Sequence, residues 1–513
     1  MAAIPIWTVP LPGLANETRS SHPCPGDDVA IALADLPAGA LVAGVVLSAA
    51  VPRGHKIARH PIAAGAAVRR YGQASQDIAA GAHVHVQNLG MSMHALQHDF
   101  STDLRSFAAP AEPRSFQGYR RADGRVGTRN YLGVLTSVNC SGSVARFIAE
   151  AAEKTDWFRA LKNVDGIVPI AHSTGCGMAG ENEGHQTLFR TLKGYAKNPN
   201  FAGILLVGLG CEVMQFPALV GKARLRADGQ FHHMTIQDEG GTRRTVERGV
   251  AALHDLALVA ETCRREPTPV SELVIGMQCG GSDSYSGITA NPALGVASDL
   301  LVAYGGTTML SETSEIYGAE QLLTRRAISA EVGEKLLDRI RWWEDYTARN
   351  KGEINNNPSP GNKRGGLTTI LEKSLGAVAK GGSAPLSGVY LYAEPIDTKG
   401  FVFMDSPGYD PCSVTGQVAS GANLIVFTTG RGSVSGYKPM PCIKVVSNSE
   451  MFAKMEEDMD LNTGDILEGI TLEQKGREMF EIFIRVDSGE VTKSEALGFG
   501  GAEFVPWQIG AVM

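Results

Sequence analysis

Six times along this sequence an apolar run closes on a turn rich in glycine and small polar residues, usually with a helical stretch after it. The runs are 131–138, 166–171, 203–207, 273–277, 307–310 and 424–427. Short apolar runs bounded by such turns read as buried strands, and their alternation with helices such as 331–351 reads as α/β layers. The pattern predicts a body of mostly parallel strands. In open sheets of that kind ligands sit beyond the carboxyl ends of the strands, where these turns fall.

The first part of the chain reads differently. Between 27 and 93 the β-prone pieces 29–33, 41–46, 56–58, 67–71 and 82–87 are separated by LPAG, PRGH and AAGA turns. Short strands at this spacing predict a small all-β module. A polar stretch containing Pro110 and Pro113 then reads as a linker. With 513 residues the chain exceeds the roughly 250–300 that one core supports. The expected division is a module at 1–93, a linker at 94–117, and a two-part α/β body at 118–266 and 267–513. A net charge of −7 argues against a nucleic-acid surface and gives no membrane signal. The opening MAAIPIWTVPLPG lacks the basic start and apolar core of a signal peptide, so a cytoplasmic protein is expected. A homo-oligomer stays open.

Four of the eight cysteines stand at predicted strand ends: Cys140, Cys176, Cys211 and Cys279. His172, Glu212, Asp283, Glu312 and Glu315 stand beside them. Thiolate and imidazole together favour iron(II) or zinc, and carboxylate extends the range to manganese. The competing reading is packing, since cysteine is among the most buried residue types. No CxxC or HExxH occurs, and no glycine-rich turn has the dinucleotide-binding form, so no nucleotide cofactor is expected. The module carries Gly54-His55-Lys56 in a turn and His83-Val84-His85-Val86-Gln87-Asn88 in a strand. Alternate strand residues share a face, so His83 and His85 point the same way. They are either metal or acid–base groups or simply a polar strand face. The loop from Asn357 to Lys363 is dense in proline, glycine and hydrogen-bonding side chains, and Lys363, Arg364 and Arg431 could bind a carboxylate. Trp342 and Trp343 read as core packing.

These motifs together resemble the altronate dehydratase/galactarate dehydratase family. The resemblance runs through GHK at 54–56, DGRVGTRN at 123–130, GLGCE at 208–212 and QCGGSDSYSGITANPALGVASD at 278–299. It continues through GAEQLL at 318–323, NPSPGNKRGG at 357–366 and TTGRG at 428–432. It implies a SAF-type β module, a second domain and a C-terminal α/β domain of unusual topology. It also implies dehydration of a hexonate or hexarate with a divalent metal, iron(II) first and manganese(II) second. The HVHVQN and GGTTMLSETSEIYGAEQLL segments look more like the altronate branch. Residues 400–417 depart from both branches, and Gln87 stands where a histidine is frequent. A related branch is a sulfolactate sulfo-lyase.

Dehydrating a 2,3-dihydroxy acid requires removal of the C2 proton, stabilisation of an enediolate and protonation of the departing C3 hydroxyl. The expected product is a 2-keto-3-deoxy acid. For the acid–base work the candidates are His55, Lys56, Asn88 and Glu312. For the metal they are His85, His172, Cys176, Cys211 and Cys279. For the sugar acid they are Arg129, Asn130, Ser282, Asp283, Asn362, Lys363 and Arg431. Two further readings stay in play: an inactive binding or regulatory relative, and an iron–sulfur dehydratase, against which stands the lack of closely spaced cysteines.

Overall fold

The computed structural model describes residues 20–21, 26–69, 71–91, 98–215 and 230–513. The opening segment read above for targeting, and the expected boundary between module and linker, lie outside the described residues. Among the described residues no helix is long and apolar enough to cross a membrane.

The small module is all β. Ser20–Ser21, Val29–Ala32, Lys56–Ala58 and His83–Val84 form an antiparallel sheet in that order. A second antiparallel sheet holds Ala67–Val68, Gly72–Ala74 and Leu89–Gly90. The strand expected over 82–87 ends at Val84, because the N–H groups of Asn88 and Leu89 both turn back to the His85 carbonyl at 3.0 Å. Two small cores, one around Val29, Val68 and Val84 and one around Leu36, Val42 and Ile57, hold the module together.

The expected linker is shorter than 94–117. Strand Ser115–Arg120 starts inside it and pairs antiparallel with Glu266–Pro269, the segment joining the two halves of the body. The second domain is a four-stranded parallel sheet in the order Ile167–Ile170, Tyr131–Thr136, Phe201–Gly208, Phe231–Thr235. Every residue of Tyr131–Thr136 and Phe201–Gly208 is buried, as a parallel strand covered on both faces requires. One face is covered by helices Gly142–Glu153 and Thr242–Ala260 through Ile148, Leu253 and Leu256. Helix Glu183–Lys197 on the other face packs against Asp410–Ser420 of the C-terminal domain. A Cβ at Gly194 would lie 2.1 Å from the Ala419 carbonyl, so only glycine allows that approach. The two halves share one hydrophobic core, in which Tyr131 and Leu206 join Met404 and Val418.

The C-terminal domain is built on seven parallel strands. Their order is Leu386–Tyr390, Gly400–Met404, Thr307–Ser311, Val274–Cys279, Leu424–Thr429, Cys442–Val446, Leu461–Asn462. From Val274–Cys279 the chain first builds outward on one side, then returns to build outward on the other from Leu424–Thr429. The order therefore reverses between these two strands, and such a reversal opens a crevice at their carboxyl ends. That crevice is bordered by Gly280-Gly281 and Gly430-Arg431, whose backbones are joined by Gly430 and Arg431 N–H bonds to the Gly281 carbonyl.

Candidate active site

The small module docks at this crevice through its GHK turn. Lys56 is fully buried; its ammonium donates to Ser284 Oγ at 2.9 Å and the Gly366 carbonyl at 2.5 Å, and it pairs with Glu372. Tyr285 donates to the Ala32 carbonyl at 2.6 Å and Thr369 to that of Tyr71 at 2.9 Å. A Cβ at Gly54 would lie 3.1 Å from the Gly365 carbonyl, so the turn must carry glycine at φ +81°. All three Lys56 donors are engaged, which makes it a docking pin rather than the acid or base expected from sequence.

Pairing of Lys56–Ala58 with His83–Val84 gathers three histidines within the module. His55 Nδ1 shares a hydrogen bond with His83 Nε2 at 2.9 Å, and its Nε2 donates to the Arg364 carbonyl at 3.2 Å. The His85 ring lies 4.5 Å from that of His55 and stacks on that of His83 at 5.6 Å. One nitrogen from each ring can be chosen so that all three lie within 4.8 Å of one another. His85 Nδ1 is buried without a partner. Burial, and the charge a protonated His55 would place beside them, push His83 down to about 4 and His85 to about 3. The rings are neutral near pH 7, the form in which imidazole ligates a cation. Sequence places His83 and His85 on one strand face as a metal or acid–base pair, but the return of the GHK turn onto that strand cannot be read from spacing. Asn88 is not at the chemistry. Its Oδ1 accepts from His85 N at 2.9 Å and its amide donates to the His83 carbonyl at 3.0 Å, so it shapes the turn that presents both rings.

A second cluster lies at the ends of Val274–Cys279 and Thr307–Ser311. Ligand atoms of Cys279, Glu312 and Glu315 fall within 4.8 Å of one another, all buried. Glu315 accepts from Lys373 Nζ at 2.7 Å and Asn357 Nδ2 at 2.8 Å. Glu312 is fully buried, neither carboxylate oxygen has a partner, and its backbone is left-handed at φ +74°. Burial and the Glu315 charge raise its pKa well above the usual carboxylate range, which favours its protonated form. Lys380, also buried, lies beside the Cys279 thiol and both glutamates. Cys279 is pushed up to about 12 by burial, so it is a thiol. Asp410, which sequence reasoning missed, is pushed up to about 6 by burial and by Glu315. It lines a cavity of about 520 Å³ with Glu315, Lys373, Asn357 and Gly280.

The segment 357–366 connects the two clusters. Asn357 touches Glu315 and Lys373 at one end, and the Arg364 carbonyl touches His55 at the other. Asn362 caps its own short helix, Pro360–Arg364, and donates to the Ser282 carbonyl at 2.8 Å. Asp283 accepts from Ser286, Ser447 and Asn448. Both side chains are thus tied into the scaffold, while among the described residues Asp283 Oδ2 accepts one bond only and the Asn362 amide keeps a second hydrogen free. Ser282 Oγ is buried and unpartnered, and among the described residues the side chains of Lys363 and Arg431 make no hydrogen bond.

The remaining candidates lie elsewhere. All five Arg129 N–H donors are engaged, by Glu495 and by the carbonyls of Thr128, Val486 and Glu490. Asn130 is held by Arg121, Asp165, Asn163 and the Ala260 carbonyl. The Arg129 and Asn130 side chains therefore brace the body. His172 donates from Nε2 to the Thr136 carbonyl at 3.1 Å and accepts at Nδ1 from Thr174 N at 3.3 Å, which leaves no lone pair for a metal. Cys176 and Cys211 are exposed on the second domain, away from both clusters.

A SAF-type β module closing the switch-point crevice of a seven-stranded parallel domain, with a second parallel domain braced against it, defines a three-part α/β architecture. The chain belongs to the D-galactarate/altronate dehydratase family. Residues 22–92 match the altronate/galactarate dehydratase SAF domain, 118–261 the second domain of D-galactarate dehydratase/altronate hydrolase, and 270–512 the D-galactarate/altronate dehydratase C-terminal domain. Over 92% of its length the chain is 37% identical to an altronate dehydratase of Escherichia coli (strain K12), covering 96% of that protein. It is 34% identical to an altronate dehydratase of Bacillus subtilis (strain 168), with the same two coverages. A galactarate dehydratase (L-threo-forming) of Escherichia coli (strain K12) is 38% identical over 87% of this chain and 88% of its own.

Proposed function

We propose that this chain is a carbon–oxygen lyase that removes water from a sugar acid, with D-altronate as substrate and a 2-keto-3-deoxy acid as product. The observation that carries the reading is the crevice itself: the three neutral histidines meet the 357–366 segment through the Arg364 carbonyl, that segment packs on the family's glycine-rich Gln278–Asp283 turn through Asn362 and Gly365, and Lys363, Arg431 and Ser282 are uncommitted along it. A galactarate-like dicarboxylate is the second reading, favoured by the similar identity to the galactarate dehydratase relative.

His55, His83 and His85 are the residues we assign to a divalent cation, iron(II) or manganese(II). They fit one: the donors are neutral, converge within 4.8 Å, and include an orphaned buried nitrogen. The Cys279, Glu312 and Glu315 set fits a cation less well, because the ammonium of Lys373 already neutralises Glu315 and Lys380 lies beside it. A bound cation would supply Lewis-acid stabilisation of the charge that develops on the substrate carboxylate. Lys363 and Arg431 hold that carboxylate and orient the sugar acid. Asp410, poised near 6, takes the C2 proton as a carboxylate. Glu312, whose pKa burial and Glu315 raise well above the usual carboxylate range, is the proton reservoir for the departing hydroxyl and acts through Glu315, which reaches the cavity.

The test is a panel of sugar acids assayed for 2-keto-3-deoxy acid with iron supplied anaerobically, on the wild type and on His85→Ala. Turnover of altronate is expected, with both metal content and rate reduced in the variant. Full turnover in exhaustively metal-free protein would sink the metal assignment, and turnover of galactarate alone would move the substrate.

A further inference from the structure

Cys140, Cys176 and Cys211 have no part in the site above, yet the fold brings them to one place. Strand Tyr131–Thr136 lies between Ile167–Ile170 and Phe201–Gly208, parallel to both. Each cysteine stands in the turn just beyond one of these three strands. The turns are bonded to one another. Asn139 N donates to the Thr174 carbonyl at 2.9 Å, and Met214 N donates to that of Gly175 at 3.2 Å. Buried Glu212 accepts from Ser137 Oγ and from Gly210 N, both at 2.6 Å, and so clamps the first turn to the third. His172, through Thr136 and Thr174, ties the second turn to the central strand. A Cβ at Gly175 would lie 2.2 Å from the Ser137 carbonyl, so glycine is what lets the turn carrying Cys176 press against the one carrying Cys140.

The accessibility pattern is selective. Among the described cysteines Cys279, Cys412 and Cys442 are buried and Cys263 is half-buried, while these three are exposed. Free cysteine behaves as a small apolar side chain and is normally buried; exposed thiols are reactive and need a reason. No pair is bonded as a disulfide, and three is the wrong number for one. A single tetrahedral ion would hold thiolates no more than about 4.6 Å apart, twice a metal–sulfur bond of ~2.3 Å. The three thiols do not form a set within 4.8 Å. A wider triangle of thiolates suits a cluster in which each sulfur binds a different iron.

We propose that Cys140, Cys176 and Cys211 bind an iron–sulfur cluster of the four-iron kind through three thiolates, leaving one iron without a protein ligand. Assembly takes up two iron(II), two iron(III) and four sulfide ions, forms three iron–thiolate bonds and releases the three thiol protons, with no change of oxidation state. The wide spacing of these cysteines in sequence, which argued against such a centre, is closed by the parallel sheet. This centre is separate from the histidine-held cation.

The full-length chain, purified anaerobically, is treated with iron and sulfide under reducing conditions. The expected result is broad visible absorption with about four iron and four acid-labile sulfide per chain. Cys176→Ser and Cys211→Ser should lose absorption and sulfide, whereas Cys263→Ser and His85→Ala should keep them, which separates this centre from the proposed cation site. Should a serine variant fail to fold, thiol alkylation of the wild type read by mass spectrometry replaces it: reconstitution should protect all three cysteines. A colourless protein without labile sulfide, a chromophore that survives in the triple serine variant, or unchanged alkylation would overturn the proposal.

Discussion

At the scale of single residues, the site is marked by groups whose cost to the fold is not repaid locally. Glu312 is the clearest. A left-handed backbone at a non-glycine residue costs roughly 1–2 kcal/mol, and a buried carboxyl without partners adds to it. Glu312→Gln keeps the shape and removes the ionisable group. Its expected outcome is an unchanged or raised melting temperature with turnover lowered at least about tenfold. A variant that unfolds more readily while each folded molecule stays active would make Glu312 a structural residue. Asp410 gives the pH dependence. It must be a carboxylate to accept the C2 proton, and its pKa is pushed up to about 6. The rate constant kcat/KM should therefore be flat above that value and fall about tenfold per pH unit below it. Asp410→Asn should lower the plateau by roughly 10²–10⁴-fold and abolish the acidic limb. A limb that persists in the variant assigns the titration to another group. Sequence alone marked Glu312 by its place at a strand end. Asp410 had no such mark, because its shift comes from burial and from Glu315, neither of which is written in its neighbours.

Among the elements, the alternation of apolar runs and glycine-rich turns announced the parallel sheets, and each of the six runs is a strand. What the runs could not carry is strand order, since every run looks alike when both faces are buried. The consequence was a single pool of metal candidates. His85, Cys279 and the pair Cys176 and Cys211 belong to three separate places, and His172 is a satisfied core histidine. The turns were legible as ligand-facing, but which turns face each other was not. The GHK element is the instructive case, because its lysine looks catalytic in sequence and is a fastener in the fold. Removing one partner of a buried ion pair costs about 3–5 kcal/mol, since the other charge is left unpaired. Lys56→Met strands Glu372, so it should loosen the module and expose residues 98–114 to limited proteolysis. Lys56→Met combined with Glu372→Gln should be cleaved more slowly than the single variant. Equal cleavage of both, at the wild-type rate, would mean that docking rests on the apolar contacts of Ile31, Tyr285 and Ile288 instead.

Across the whole molecule, the three parts differ in how far each can stand alone. The second and C-terminal domains share a core that runs from Tyr131 and Leu206 to Met404 and Val418, and they are further braced by Arg129 against Glu495. Neither is expected to persist without the other. The small module is different: its two cores are its own, and it meets the body through the GHK turn, Tyr285 and Thr369. Yet it supplies all three histidines of the crevice, while the body supplies the cations and carboxylates. Removing residues 1–93 should therefore leave a body that elutes compactly and unfolds cooperatively, with no measurable dehydration and no histidine-held cation. Because Cys140, Cys176 and Cys211 stay behind, the truncated body should still take up iron and sulfide as the full chain does. Three measurements on one truncated protein, namely turnover, bound divalent metal and labile sulfide, thus separate the two proposed centres. If the body alone dehydrates a sugar acid at near the full-length rate, the histidines are accessory. The chemistry must then be built from Asp410, Glu315, Lys373 and the 357–366 segment.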